Sequence, residues 1–145
     1  MDKSLKELFE KWRGEIPKED YSSQVQLRTY NLFLKKINEY EIDDLRFMIG
    51  QQYGLKYLLP IAINYLEEDI MTEGLYYEGD LLNAVFHIPK YFWKKNLKSY
   101  SKIYEILLNN KSIIDDLNTE FEANRDLISD REKFLKILIN KGNAL

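Results

Sequence analysis

Apolar side chains recur at three- and four-residue spacing along nearly all of the 145 residues, and this spacing limits the possible folds more than any other feature. The clearest stripes are Leu5, Leu8, Phe9 and Trp12, then Val25, Leu27, Tyr30, Phe33, Leu34 and Ile37, then Tyr100, Ile103, Tyr104 and Leu107. Residues at this spacing share one face of an α-helix. No segment shows the apolar and polar alternation between turn residues that is typical of β-hairpins. The sequence therefore predicts an all-α fold.

The stripes and the Gly and Pro residues between them predict a single domain, residues 1–145, of about seven or eight helices. The segment 56–68 is apolar on almost all sides, which indicates a central and largely buried helix. We expect that helix to begin within about a turn of Pro60, where a missing amide is tolerated. The last two apolar groups predict helices around 113–121 and 134–139.

Two glycines and two glutamines separate the apolar segments on either side of residues 50–54. Glycine commonly follows the end of a helix because it adopts the left-handed conformation without steric cost. We therefore expect Gly50 to end one helix in that conformation and Gly54 to release the next. The amides of Gln51 and Gln52 would satisfy backbone groups at this corner.

Acidic and basic residues are concentrated in neighbouring parts of the chain. Residues 51–86 contain six acids and one base, whereas residues 87–111 contain six bases and one acid. Carboxylates and tyrosines on a loop between two apolar helices suit the binding of a basic protein surface. The candidate binding residues are Glu67, Glu68, Asp69, Glu73, Tyr76, Tyr77, Glu78 and Asp80. The alternative is a solvated helix end with capping acids.

The segment 90–102 interleaves lysines with aromatic residues, a pattern that also occurs in nucleic-acid-binding regulators. A pair of amphipathic helices gives the same pattern, with lysines outside and Tyr91, Phe92, Trp93 and Tyr100 inside. We favour that alternative because the segment contains no arginine and the chain has a pI near 5.3. No nucleic-acid partner is expected.

The sequence offers little for catalysis, so we predict no catalytic, cofactor-binding or metal-binding residues. Cysteine is absent, and the lone histidine, His87, lies in an apolar context typical of a core or boundary residue. A carboxylate-only enzyme site remains an alternative without positive support. The N-terminus is charged from Asp2, and no apolar run approaches the length of about 18 residues that a membrane span needs. We expect a cytoplasmic protein.

The middle of the chain resembles a known family. The motifs are DLRFMIGQQYGLKYLLP at 44–60, EDIMTEG at 68–74, YEGDLLNAV at 77–85, and Pro89 followed by Phe92-Trp93. In order and spacing they are similar to the immunity proteins of contact-dependent growth inhibition (CDI) systems. These proteins are small cytosolic antitoxins that neutralise a toxin delivered by a neighbouring cell. The resemblance covers about residues 44–93.

The resemblance implies a protein without enzymatic activity that binds the C-terminal domain of a cognate CDI toxin. Binding would cover the active site or the substrate cleft of the toxin. Such toxins are often nucleases with basic clefts, and the acidic block at 67–80 would occupy such a cleft in place of phosphate. Motif residues such as Arg46, Gly50 and Asp80 would maintain the fold, and other positions would select the partner.

Overall fold

The structure is a computed structural model that describes residues 2–9 and 23–139. The described part contains nine α-helices, against the predicted seven or eight, and its only β-type pairing is an isolated bridge between Ser4 and Lys36. The helices are α1 (Leu5–Leu8), α2 (Gln24–Leu34), α3 (Ile42–Gly50), α4 (Leu55–Glu68), α5 (Asp80–Phe86), α6 (Lys90–Lys95), α7 (Leu97–Asn109), α8 (Lys111–Asp115) and α9 (Glu122–Leu135). The prediction of an all-α fold is confirmed.

Side-chain capping explains where several helices begin and end. Ser23 precedes α2 and accepts the amide of Gln26 at 3.2 Å. At the start of α3 the carboxylate of Asp44 accepts the amide of Glu41 at 2.9 Å, as the acidic residues there predict. Trp12, assigned above to the first stripe, lies outside the described residues.

Helices α4 and α5 occupy the middle of the core. As predicted, α4 packs against several neighbours, namely α3, α5 and α7. Pro60 lies inside this helix, more than one turn after its start at Leu55, on a side that is exposed to solvent. The shorter α5 packs against α3, α4 and α9, and three of its seven residues, Leu81, Leu82 and Val85, have no exposed surface. The region around α5 is therefore held from three directions.

The corner between α3 and α4 differs from the prediction. Gly50 is the last residue of α3 and has no positive φ, whereas Gln52 adopts the left-handed conformation with φ of 61°. The expectation of a left-handed Gly50 is wrong because α3 continues through that residue and the chain reverses two residues later. Gly54 does adopt the left-handed conformation, with φ of 69°, immediately before α4.

The last helix also differs from the prediction. We expected a helix around 134–139, but α9 begins at Glu122 and ends at Leu135. Its buried positions are Leu127, Arg131 and Phe134, so an arginine lies where the apolar stripe would have its middle member. Apolar periodicity therefore gave a weak signal over the true helix.

Candidate functional site

The acidic loop, residues 69–79, connects the end of α4 to the start of α5. Five of the predicted binding residues are exposed acids in this loop or in the last turn of α4, namely Glu67, Glu68, Asp69, Glu73 and Glu78. Within the described residues, no basic group lies within 4.0 Å of any of these carboxylates. Tyr76 is 67% exposed beside them. The loop thus presents negative charge and a ring to the solvent.

Asp80 is the one predicted binding carboxylate that the fold buries, with 2% of its surface exposed. Its carboxylate accepts the backbone amides of Gly74 at 2.6 Å, Leu75 at 3.1 Å and Tyr76 at 2.9 Å. Hydrogen bonds from amides to an ionised group are stronger than those between neutral groups. Asp80 therefore fixes the shape of the acidic loop from beneath.

Both ends of the acidic loop are also fixed. At the start, the side chain of Asp69 accepts the amide of Met71 at 2.9 Å, and the hydroxyl of Thr72 donates to the Asp69 carbonyl at 2.6 Å. At the end, Gly79 has φ of 94°, and a Cβ there would lie 2.7 Å from a side-chain carbon of Leu127. Any other residue would be strained by the left-handed conformation and would have to displace the side chains of Leu127 and Met71, so glycine fits here best.

Arg46 of α3 supports the exposed Tyr76 from below. Its guanidinium donates to Asp43, lies 4.0 Å from the carboxylate of Asp80, and lies 4.7 Å from the ring centroid of Tyr76. Burial disfavours the charge on Arg46, but the hydrogen bond and the charge of Asp43 outweigh this effect, so the pKa of Arg46 is raised. Arg46 therefore remains a cation beneath the tyrosine ring.

The same carboxylates connect α3 to α2. Arg28 lies 2.8 Å from Asp43 and 3.3 Å from Asp44, and Lys35 lies 3.0 Å from Asp44. Burial opposes ionisation of both aspartates, but hydrogen bonds to them prevail and lower the pKa of each. The ion network is our name for the cations Arg28, Lys35 and Arg46 together with the carboxylates of Asp43, Asp44 and Asp80.

A groove of about 380 Å³ runs from the acidic loop along α5 to the end of α3. The residues that line it are Arg46, Gly50, Tyr76, Tyr77, Asp80, Asn83, Ala84 and His87. Tyr77 is half-buried, and burial together with the charges of Asp80 and Asp126 raises its pKa. The Tyr77 phenol is therefore neutral at neutral pH.

His87 is exposed, in contrast to the predicted core or boundary position. It follows the last residue of α5, where the helix reaches the surface. Its Nδ1 lies 2.8 Å from the carbonyl of Asn83 and donates to it. In the neutral imidazole this arrangement leaves Nε2 as an acceptor.

Three residues that the sequence analysis did not select belong to this region. Asn83 and His87 line the groove, and Asp126 of α9 acts on Tyr77 through its charge. The four-residue spacing of Asn83 and His87 on one helix was a visible signal. The position of Asp126 depends on the packing of α9 against α5 and had no local signal.

The basic segment is only partly arranged as predicted. Its lysines are exposed and Trp93 and Tyr100 are buried, but Tyr91 is 65% exposed, so the expectation that Tyr91 lies inside is wrong. With only six residues, α6 uses Trp93 as its buried anchor, and the neighbouring Tyr91 lies on the opposite side.

Neither a membrane-spanning helix nor a metal-binding cluster occurs among the described residues. No helix there is long and apolar enough to cross a membrane. No three His, Asp or Glu side chains in residues 2–9 and 23–139 gather in a group that could hold a metal ion.

Comparison with known proteins agrees with the motifs in the middle of the chain. The family model of the CDI immunity proteins matches residues 7–103, about two thirds of the sequence. This match extends beyond 44–93 at both ends and includes the ion network, the acidic loop and α5. No curated protein sequence matches the chain. The chain belongs to the family of CDI immunity proteins.

Proposed function

We propose that this protein neutralises a cognate CDI toxin by binding its C-terminal domain through the surface of the acidic loop. The observation that carries the proposal is the group of five exposed acids, unpaired within the described residues, beside the exposed ring of Tyr76. Tyrosine is enriched among the residues that contribute most to binding energy in interfaces. The protein acts by binding, without a cofactor and without catalysis, in the cytoplasm.

The proposed target is a basic cleft of the kind that nucleases use to bind phosphate. The five carboxylates would take the place of phosphates and meet lysines and arginines of the toxin. Complementary charges accelerate association and select the partner. Because hydrogen bonds to Asp80 already order the loop, little conformational entropy is lost on binding.

Co-expression with the toxin domain encoded by the neighbouring upstream gene tests the proposal directly. We expect cells that make both proteins to survive, and we expect the two proteins to co-purify as a 1:1 complex. Cell death despite soluble expression of both proteins would contradict neutralisation.

A charge-reversal variant tests whether the acidic loop forms the binding surface. We expect Glu67→Lys, Glu73→Lys and Glu78→Lys together to lower the association rate with an inactive toxin domain by about tenfold or more. The control carries Glu105→Lys, Asp116→Lys and Glu120→Lys, three exposed acids outside the loop with the same change in net charge. Equal affinity of the two variants would show that the loop is not the binding surface.

A further inference from the structure

Gly50 is a glycine that the fold does not require. It lies in α3 without a positive φ, and a Cβ at this position would meet no atom within 4 Å. Glycine lowers helix stability relative to alanine. Because Gly50 has no side chain, the wall of the groove formed by α3 is open at this position. Asn83 and His87 line the opposite wall, which is formed by α5 and the residue after it.

The groove offers hydrogen-bond acceptors to an incoming group. Nε2 of His87, the amide oxygen of Asn83 and the phenol oxygens of Tyr76 and Tyr77 can all accept. Ala84 and the two phenol rings add apolar surface. An acceptor-rich pocket with apolar walls suits a long side chain that ends in several N–H donors.

The charges around the groove favour a cation. Arg46 is the one cation among the described residues that line it, and it donates to Asp43 and lies against the ring of Tyr76, so its charge is already matched. The charges of Asp80 and Asp126 both act on Tyr77 and outweigh the opposing charge of Arg46 there. An incoming carboxylate would be repelled by these two acids. A purely apolar group would displace water from the hydrogen-bond acceptors of the groove and offer them no donor in exchange.

We propose that the groove between α3 and α5 receives one lysine or arginine side chain of the toxin. This inference rests on the proposed function and adds an anchor point to it. The stem of the side chain lies along Ala84 and the tyrosine rings, and its charged end donates to Asn83 and His87. The acids of the loop steer the toxin toward the protein, and the groove holds it in place.

Two substitutions block the groove by independent means. Gly50→Trp fills it from the wall that lacks a side chain, and Asn83→Lys supplies a competing cation. The matched controls are Gly50→Ala, which leaves the groove open, and Asn109→Lys, which adds the same charge at an exposed asparagine outside the groove. A Cβ at Gly50 would meet no atom within 4 Å, and the half-buried Asn83 side chain makes no hydrogen bond among those of the described residues. Circular dichroism with urea unfolding checks that all four variants fold.

The experiment measures binding of an inactive form of the neighbouring toxin domain by surface plasmon resonance. We expect both blocking variants to bind about thirtyfold or more weakly, mainly through faster dissociation, and both controls to bind like the wild type. Among alanine substitutions of the basic residues of the toxin, one should weaken binding to the wild type but leave binding to Gly50→Trp unchanged.

The outcomes separate the two proposals. If the wild-type protein does not bind the toxin domain, the proposed function itself fails. If the wild type binds and the folded blocking variants bind equally well, the groove proposal is overturned while neutralisation by binding stands. A complex in which the critical toxin residue is acidic or apolar would also overturn the groove proposal.

Discussion

At the scale of single residues, the corner between α3 and α4 shows that the type of residue and its conformation do not always match. A glutamine, Gln52, occupies the left-handed position that glycine usually takes after a helix, while Gly50 two residues earlier has no need to be glycine. The left-handed conformation strains any residue that has a Cβ. The chain therefore carries a small and removable strain at Gln52.

Removal of this strain gives the first stability prediction. We expect Gln52→Gly to raise the free energy of unfolding by about 0.5 to 1 kcal/mol, because relief of the left-handed strain exceeds the added entropy of the unfolded chain. Urea unfolding followed by circular dichroism measures the change. A lower free energy of unfolding would show that the exposed Gln52 side chain stabilises the fold by more than the left-handed strain costs.

At the scale of elements, apolar periodicity identified the helices that bury a continuous stripe and placed α4 correctly in the core. It failed for α9, where Arg131 interrupts the buried face. The preference of glycine for the left-handed conformation predicted Gly50 at the turn, whereas Gln52 takes that conformation. The loop acids were found because charge is visible in sequence. The contributions of Asp126 and His87 were missed because they depend on how helices pack around α5.

The packing of α1 against the residue that precedes α4 depends on a second glycine. A Cβ on Gly54 would lie 2.8 Å from a side-chain carbon of Leu5, which is fully buried. We expect Gly54→Ala to lower the free energy of unfolding by about 2 kcal/mol or more, through left-handed strain and displacement of α1. Gly50→Ala is the matched control and should leave stability unchanged or raise it by up to about 1 kcal/mol.

Urea unfolding of both variants tests the difference, and hydrogen exchange of the α1 amides reports whether α1 has moved. Similar stability of the two variants would show that Leu5 adjusts at little cost.

At the scale of the whole molecule, the ion network joins α2, α3 and the acidic loop in one cooperative unit. The pKa values of Asp43 and Asp44 are lowered in the folded state, so the unfolded chain takes up protons first as the pH falls. Their contribution to stability is therefore fully present above about pH 4, the range of unperturbed aspartates, and is lost as the pH falls through the lower folded values.

Acid unfolding tests this contribution. We expect Asp43→Asn to be less stable than the wild type at pH 7 and to show a weaker dependence of stability on pH between about 5 and 2. Asp116→Asn, at an exposed aspartate without an ion pair in the described structure, should keep the wild-type dependence. Parallel pH profiles for wild type and Asp43→Asn would show that the ionisation of Asp43 adds nothing to stability.

The attachment of the acidic loop to Asp80 has a consequence for how immunity can change over time. The buried carboxylate of Asp80 holds the middle of the loop through backbone amides, and Asp69 is the one exposed acid of the described loop that takes part in such a bond. The other outward residues can therefore mutate with little effect on the fold. Under the proposed function, a lineage that meets a new toxin would alter its partner preference by surface substitutions alone, and two descendants of one ancestor would protect against different attackers while sharing one scaffold.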